Sequence, residues 1–107
     1  MPVTRRPRPG PSPVGQALLS RLVAEWRKPT PGTEQPIIIE ETASQNQPVH
    51  LYVIWDDWAP LGSIERSEVI MDAYEQLHGR GGAMQVTVAM GLTPAEADRL
   101  GIHYQSN

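Results

Sequence analysis

The chain has 107 residues, a net charge of −3 and no cysteine. Length limits it to one domain, and composition rules out disulfides, thiolate nucleophiles and any zinc or iron–sulfur cluster held by cysteines of this chain alone. No apolar run approaches the roughly 18 residues of a membrane span, and Arg5, Arg6 and Arg8 have no apolar stretch behind them to make a secretory signal. The lack of cysteine fits a cytoplasmic location, which is the expectation.

Charge is unevenly spread. Residues 1–33 carry Arg5, Arg6, Arg8, Arg21, Arg27 and Lys28 against Glu25 alone, whereas residues 34–107 set Arg66, Arg80 and Arg99 against eleven acids, a net −8. A polyanion is therefore drawn to the start of the chain and repelled by the rest.

Residues 1–12 read as a disordered, basic, proline-rich arm, because Pro and Gly deny it a helix or a ladder and charge denies it a core. Residues 13–107 read as a single α+β domain. Ser12-Pro13 offers an N-cap followed by Pro at the first helical position. Val14, Leu18, Leu19, Leu22, Val23 and Trp26 then recur at helical spacing until Pro29 and Pro31, predicting a helix over 13–27.

The β-branched run Ile37-Ile38-Ile39 continues through Glu40-Glu41-Thr42 as a first strand. A polar loop, 43–48, leads to a second over 49–56, antiparallel to the first. Val49, Leu51, Val53 and Trp55 should face the helices, leaving His50, Tyr52, Ile54 and Asp56 on the other side.

A turn over 57–62 precedes a helix over 63–78, capped by Ser63 and ended by Gly79. Ile70, Met71, Ala73, Tyr74 and Leu77 share one face of that helix, and Glu65, Glu68, Asp72 and Glu75 share the opposite one. A third strand follows, with Met84, Val86, Val88 and Met90 on one side. Thr93-Pro94-Ala95-Glu96 is a capping box that opens a short helix closed by Gly101. The order is α-β-β-α-β-α, a three-stranded sheet with helices packed on one face.

Few of these residues converge on chemistry. Asp56 and Asp57 open a turn and point apart, while Trp55 and Trp58 fill the core or its rim; a hard cation needs more oxygens than this pair brings. His50, His78 and His103 fall on a strand, a helix end and the tail, without the spacing of a helical metal site. His78, in a last helical turn, has a ready use against the helix dipole. No serine sits in a nucleophile motif and no Gly-rich loop cradles phosphate. The sequence thus predicts no catalytic residue, no metal and no cofactor. Gly79-Arg80-Gly81-Gly82 has the G-x-x-G spacing of KH domains, but it joins a helix to a strand on an acidic body, and a turn explains it better.

From Ile37 to about Asp98 the chain resembles the BolA-like proteins, whose fold is related to KH domains. The resemblance is carried by Ile37-Ile38-Ile39-Glu40-Glu41-Thr42, the run from Val49 to Trp58, Glu65-Arg66, and the run from Val86 to Glu96. It implies a three-stranded α+β fold and a role as partner or regulator, including partnership with a monothiol glutaredoxin. The family carries a histidine directly after this arginine for cluster binding. Here Arg66 is followed by Ser67, which cannot replace imidazole as an iron ligand.

The expected function is a non-enzymatic protein-interaction or regulatory module. Its partner, another protein, would sit on the sheet face of His50, Tyr52 and Ile54 or on the acidic helix face of Glu65, Glu68, Asp72 and Glu75. The alternatives are a nucleic-acid-associated protein using Arg5, Arg6 and Arg8 on a KH-like body, and the BolA-like role.

Overall fold

The computed structural model describes residues 12–29, 35–42 and 48–102. The expected arm with Arg5, Arg6 and Arg8, the loop over 43–47, His103 and the tail lie outside the described residues. The elements are α1 (Pro13–Arg27), β1 (Ile37–Thr42), β2 (Val49–Ile54), a 3₁₀ turn (Asp56–Trp58), α2 (Ser63–Ala83), β3 (Val86–Leu92) and α3 (Pro94–Leu100). This is the expected α+β order.

Local chemistry sets most of the boundaries. Ser12 Oγ accepts from the Gly15 N–H and Pro13 opens α1, so one orphan donor is satisfied and none is wasted at the proline. The capping box of α3 is complete: Thr93 Oγ1 accepts from the Glu96 N–H at 3.3 Å, and Glu96 Oε1 accepts from the Thr93 N–H at 2.9 Å. Gly101 then closes α3 in the left-handed region, at φ 73°. Within α2, Gly79 takes φ 77° and interrupts the helix at the expected place, with a further helical turn continuing to Ala83. The cap of α2 is Gly62 rather than Ser63, and no side chain bonds its first turn.

The sheet order is β1-β2-β3. β1 pairs antiparallel with β2 in the register Ile37↔Ile54 to Thr42↔Val49. β3 pairs parallel with β2, as a strand returning through a crossover helix must. Residues on β2 alternate as expected, and Val49, Leu51, Val53 and Trp55 join Leu18, Leu22, Val23, Val69, Ile70, Ala73 and Tyr74 in one core. Helices α1 and α2 thus form a single layer on that face. Val14 does not join them: it is 46% exposed, and Gly15 takes the buried position beside it.

Two features depart from the sequence reading. A register shift places Val49 opposite Val86 but His50 opposite Val88, so Thr87 is an extra residue in the β3 ladder. Val86 therefore packs with Ala89 against the helix layer, and Val88, Met90 and Leu92 turn to the other face; the expected common side for Val86 and Val88 is lost to this bulge. Met84 lies before β3 and is 79% exposed. The second departure is α3, which packs on the opposite face of the sheet, where Ile54, Leu92 and Ala97 are buried together with Ile37, Ile39 and Ile102 around them.

Gly91 marks the tightest approach between layers. A Cβ built there would lie 2.8 Å from Arg66 Cβ and 2.9 Å from Trp58 Cε2. Gly91→Ala should cost about 1–3 kcal/mol through overpacking. Gly81→Ala, where a Cβ meets nothing within 4 Å, should change stability by less than about 1 kcal/mol. Urea denaturation of both variants checks the contrast.

Candidate interaction site

Arg66 is the one buried charged residue among those described, at 7% exposure. Its Nε–H is shared between the carbonyls of Trp58 (3.1 Å) and Leu61 (2.9 Å), and Nη1 donates to the Gly91 carbonyl (3.1 Å) and to Glu96 Oε1 (2.7 Å). One guanidinium thus ties the turn before α2, the last part of β3 and the cap of α3 to the helix that carries it. Its neighbour Ser67 donates to the Ala89 carbonyl at 2.6 Å. By strand alternation, Ala89 and Gly91 direct their backbone groups to the same side of β3, away from β2. Two side chains of α2 therefore cover the carbonyls of the outer edge.

A cleft of about 290 Å³ opens around this edge, lined by Met90, Leu92, Glu96, Arg99 and Leu100 on one wall and by Ser63, Arg66 and Ser67 on the other. It exists because α2 and α3 lie on opposite faces of the sheet and the strand between them is an edge. Met90 (36% exposed) and Leu100 (59%) stand at its mouth.

The Glu96 carboxyl lies below its ordinary value of 4.5, held there first by the Thr93 N–H and next by Arg66. Glu65 is lowered as well, because its Oε2 accepts from both Ser12 Oγ (2.6 Å) and the Ser12 N–H (2.9 Å) at the start of α1. Tyr74, packed on Trp26 with ring centroids 5.5 Å apart, is raised by burial and secondarily by the Glu40 carboxylate.

The predicted sheet face divides. His50 and Tyr52 are half-buried, and Tyr52 shares a row with Ile39 and Met90. Ile54 is fully buried under α3 and offers a partner nothing. The acidic side of α2 is also less open than expected: Glu65, Glu68 and Asp72 are half-buried, Glu65 is bonded to Ser12, Glu68 and Asp72 have polar partners, and Glu75 alone is exposed.

At the Trp-Asp-Asp-Trp stretch the tryptophans are core residues, Trp55 at 2% and Trp58 at 0% exposure, crossing edge-on at 5.2 Å. Trp58 Nε1 donates to the Val53 carbonyl at 3.0 Å. Asp57 pairs with Arg21 at 2.6 Å, and Arg21 also lies 5.1 Å from the Trp55 ring centre. The Asp56 N–H donates to Gln35 Oε1. Among the described residues no three of His, Asp and Glu come together. His78 stacks at 4.4 Å from Tyr74 and is exposed.

Sequence reasoning missed the cleft and the burial of Arg66. The signal for the first lies in Ile37-Ile38-Ile39 and Val53-Ile54-Trp55, runs that are apolar on both strand faces and therefore require cover on both. No comparable signal marks Arg66, since an arginine beside apolar neighbours on a helix reads as a surface residue.

Arg66→Met should cost about 2–4 kcal/mol in a denaturant series, because it takes the donor from the buried Leu61 and Gly91 carbonyls and the counter-ion from Glu96, while the Trp58 carbonyl keeps the Leu61 N–H. Glu96→Gln keeps the shape of the cap and removes the charge. Since the folded carboxyl is lowered, the stability it supplies is complete above the unfolded value of 4.5 and is lost as pH falls through the folded one. The difference in Tm between wild type and Glu96→Gln should be widest at neutral pH and vanish in acid; a difference that widens in acid contradicts this.

Comparison with family models, with curated proteins and with solved structures finds no match to the chain.

Proposed function

We propose that this chain is a non-enzymatic protein-interaction module that takes its partner on the second face of the sheet. One observation carries the reading: α3 covers the Ile37, Ile54 and Leu92 end of that face, and of the next row only Ile39 packs against that cluster. The rows beyond it, Ile39–Tyr52–Met90 and Glu41–His50–Val88, present a tyrosine, a methionine and aliphatic side chains that are half-buried or exposed. An apolar strip with a tyrosine on its central strand and polar residues at one end is the composition of an interface core with its rim.

Other side chains with chemical potential are already committed to the fold. Arg66 and Glu96 hold one another, Ser67 and Thr93 bond backbone, and Asp57 pairs with Arg21. The nucleic-acid reading rests on Arg5, Arg6 and Arg8, which lie outside the described residues, and it gains nothing from the acidic body.

Affinity capture from cells that make the protein, followed by reconstitution with the purified partner, tests the reading. Tyr52→Glu, at a half-buried position on that face, should weaken a stoichiometric complex at least tenfold, with circular dichroism and Tm checking that the chain stays folded. A complex that forms equally well with Tyr52→Glu would sink the sheet-face reading.

A further inference from the structure

The cleft at the β3 edge adjoins the proposed partner face, and Met90 belongs to both. Three properties define what fits it. The first is size: at about 290 Å³, and with about 30 Å³ per water-sized group, it holds on the order of ten such groups. That is one large aromatic or two aliphatic side chains, far less than a helix about 10 Å across.

The second property is the state of the strand edge. The outer carbonyls of Ala89 and Gly91 already accept from Ser67 and Arg66. A partner strand would have to fit against Ser67 and Arg66, which already donate to those carbonyls, so this edge favours an occupant that enters by a side chain over one that extends the sheet.

The third property is charge. Two guanidiniums, Arg66 and Arg99, meet one carboxylate, Glu96, in the lining. Arg66 and Glu96 are paired at 2.7 Å, which leaves Arg99 as the excess charge, on an exposed position next to Leu100. Residues 34–107 carry only one further basic residue, Arg80, against eleven acids, and Asp98 stands next to Arg99 on α3, so the positive excess is confined to the lining of the cleft itself. Against a body of net −8, a carboxylate finds its one local counter-charge in the lining at Arg99, whereas an ammonium group there meets like charge and finds acids elsewhere.

We propose that this cleft receives one bulky apolar side chain from a partner protein segment whose flanking residues are acidic, with Met90, Leu92 and Leu100 gripping the side chain and Arg99 meeting a flanking carboxylate. The assignment rests on the reading of the chain as an interaction module and names the chemistry of the partner.

The test uses the full ¹⁵N-labelled chain titrated with a synthetic heptapeptide, blocked at both ends, in which one phenylalanine is flanked by aspartates. A second peptide replaces the aspartates with lysines, and benzoate serves as a small aromatic carboxylate. The expected result is a set of amide shifts confined to the cleft, at Ser67, Met90, Leu92, Arg99 and Leu100, with the acidic peptide binding at least tenfold more tightly than the basic one. Arg99→Glu should erase or reverse that preference, and Leu100→Asp, at a position 59% exposed, should abolish binding with an unchanged Tm.

Shifts that map elsewhere, equal binding of the two peptides, or no shift at millimolar peptide would overturn the proposal. Benzoate binding as tightly as the acidic peptide would overturn it in favour of a small-molecule pocket, and self-association of the chain without peptide would overturn it in favour of a second copy. The native partner separates this failure from that of the sheet-face reading. A complex lost with Tyr52→Glu but kept with Leu100→Asp removes the cleft and leaves the face standing, while one indifferent to both variants removes both.

Discussion

The Arg66 guanidinium is the interaction on which the arrangement of layers depends. A charge that is more than nine-tenths buried is costly to desolvate, and the cost is offset only when several acceptors surround it and one carries the opposite charge. Trp58, Leu61 and Gly91 supply three carbonyls, and Glu96 supplies the charge. None of these four positions is close in sequence to all the others. They come together only when the turn after β2, the crossover helix, the end of β3 and the start of α3 have all reached their places, so one side chain couples elements from both faces of the sheet.

The same geometry explains the neighbouring choices of residue. Gly91 is small because the Arg66 stem and the Trp58 ring crowd the space its Cβ would fill. Glu96 serves twice, as the acceptor that completes the α3 cap and as the counter-ion of Arg66, which is why a helix of seven residues can be held in place. A helix this short has little stability of its own; what fixes it is the cap, the ion pair and the burial of Ala97 against Ile54 and Leu92.

Legibility in the sequence follows how local each determinant is. The first helix, the capping box at Thr93 and the break in α2 at Gly79 are all readable, because each is set by residues within a few positions of one another; the helical turn that resumes to Ala83 is not. The antiparallel pairing of the first two strands is readable for the same reason. The bulge at Thr87 is not: strict alternation over 84–90 points Val86 and Val88 the same way, and only the register with β2 shows that one residue is extra. The side of the sheet taken by α3 is hidden differently. Its apolar content is small, and the sign that the second face needs cover lies far away, in the unbroken apolar runs of the first two strands. The burial of Arg66 is least legible, since its acceptors are mainly backbone carbonyls, and carbonyls leave no trace in a sequence.

An edge strand is a standing risk of pairing with another chain, and folds reduce it by charge, by bulges or by cover. Here β3 combines a bulge near its start with side-chain cover near its end, where Ser67 and Arg66 take the outer carbonyls. That cover has a geometric consequence. Side chains that reach from α2 to the strand stop at its edge, while α3 leaves from the other face, so the two helices cannot close over one another and a gap must remain between them. The cleft is therefore a by-product of protecting the edge from one side and covering the sheet from the other. Its chemistry has the same origin. A guanidinium and a carboxylate stand in the wall because they hold the layers, and Met90 and Leu92 because the bulge turns them to the second face. Only part of the lining is therefore tied to the fold: Arg66, Ser67 and Glu96 keep the layers together, while Met90, Arg99 and Leu100 stand exposed around them.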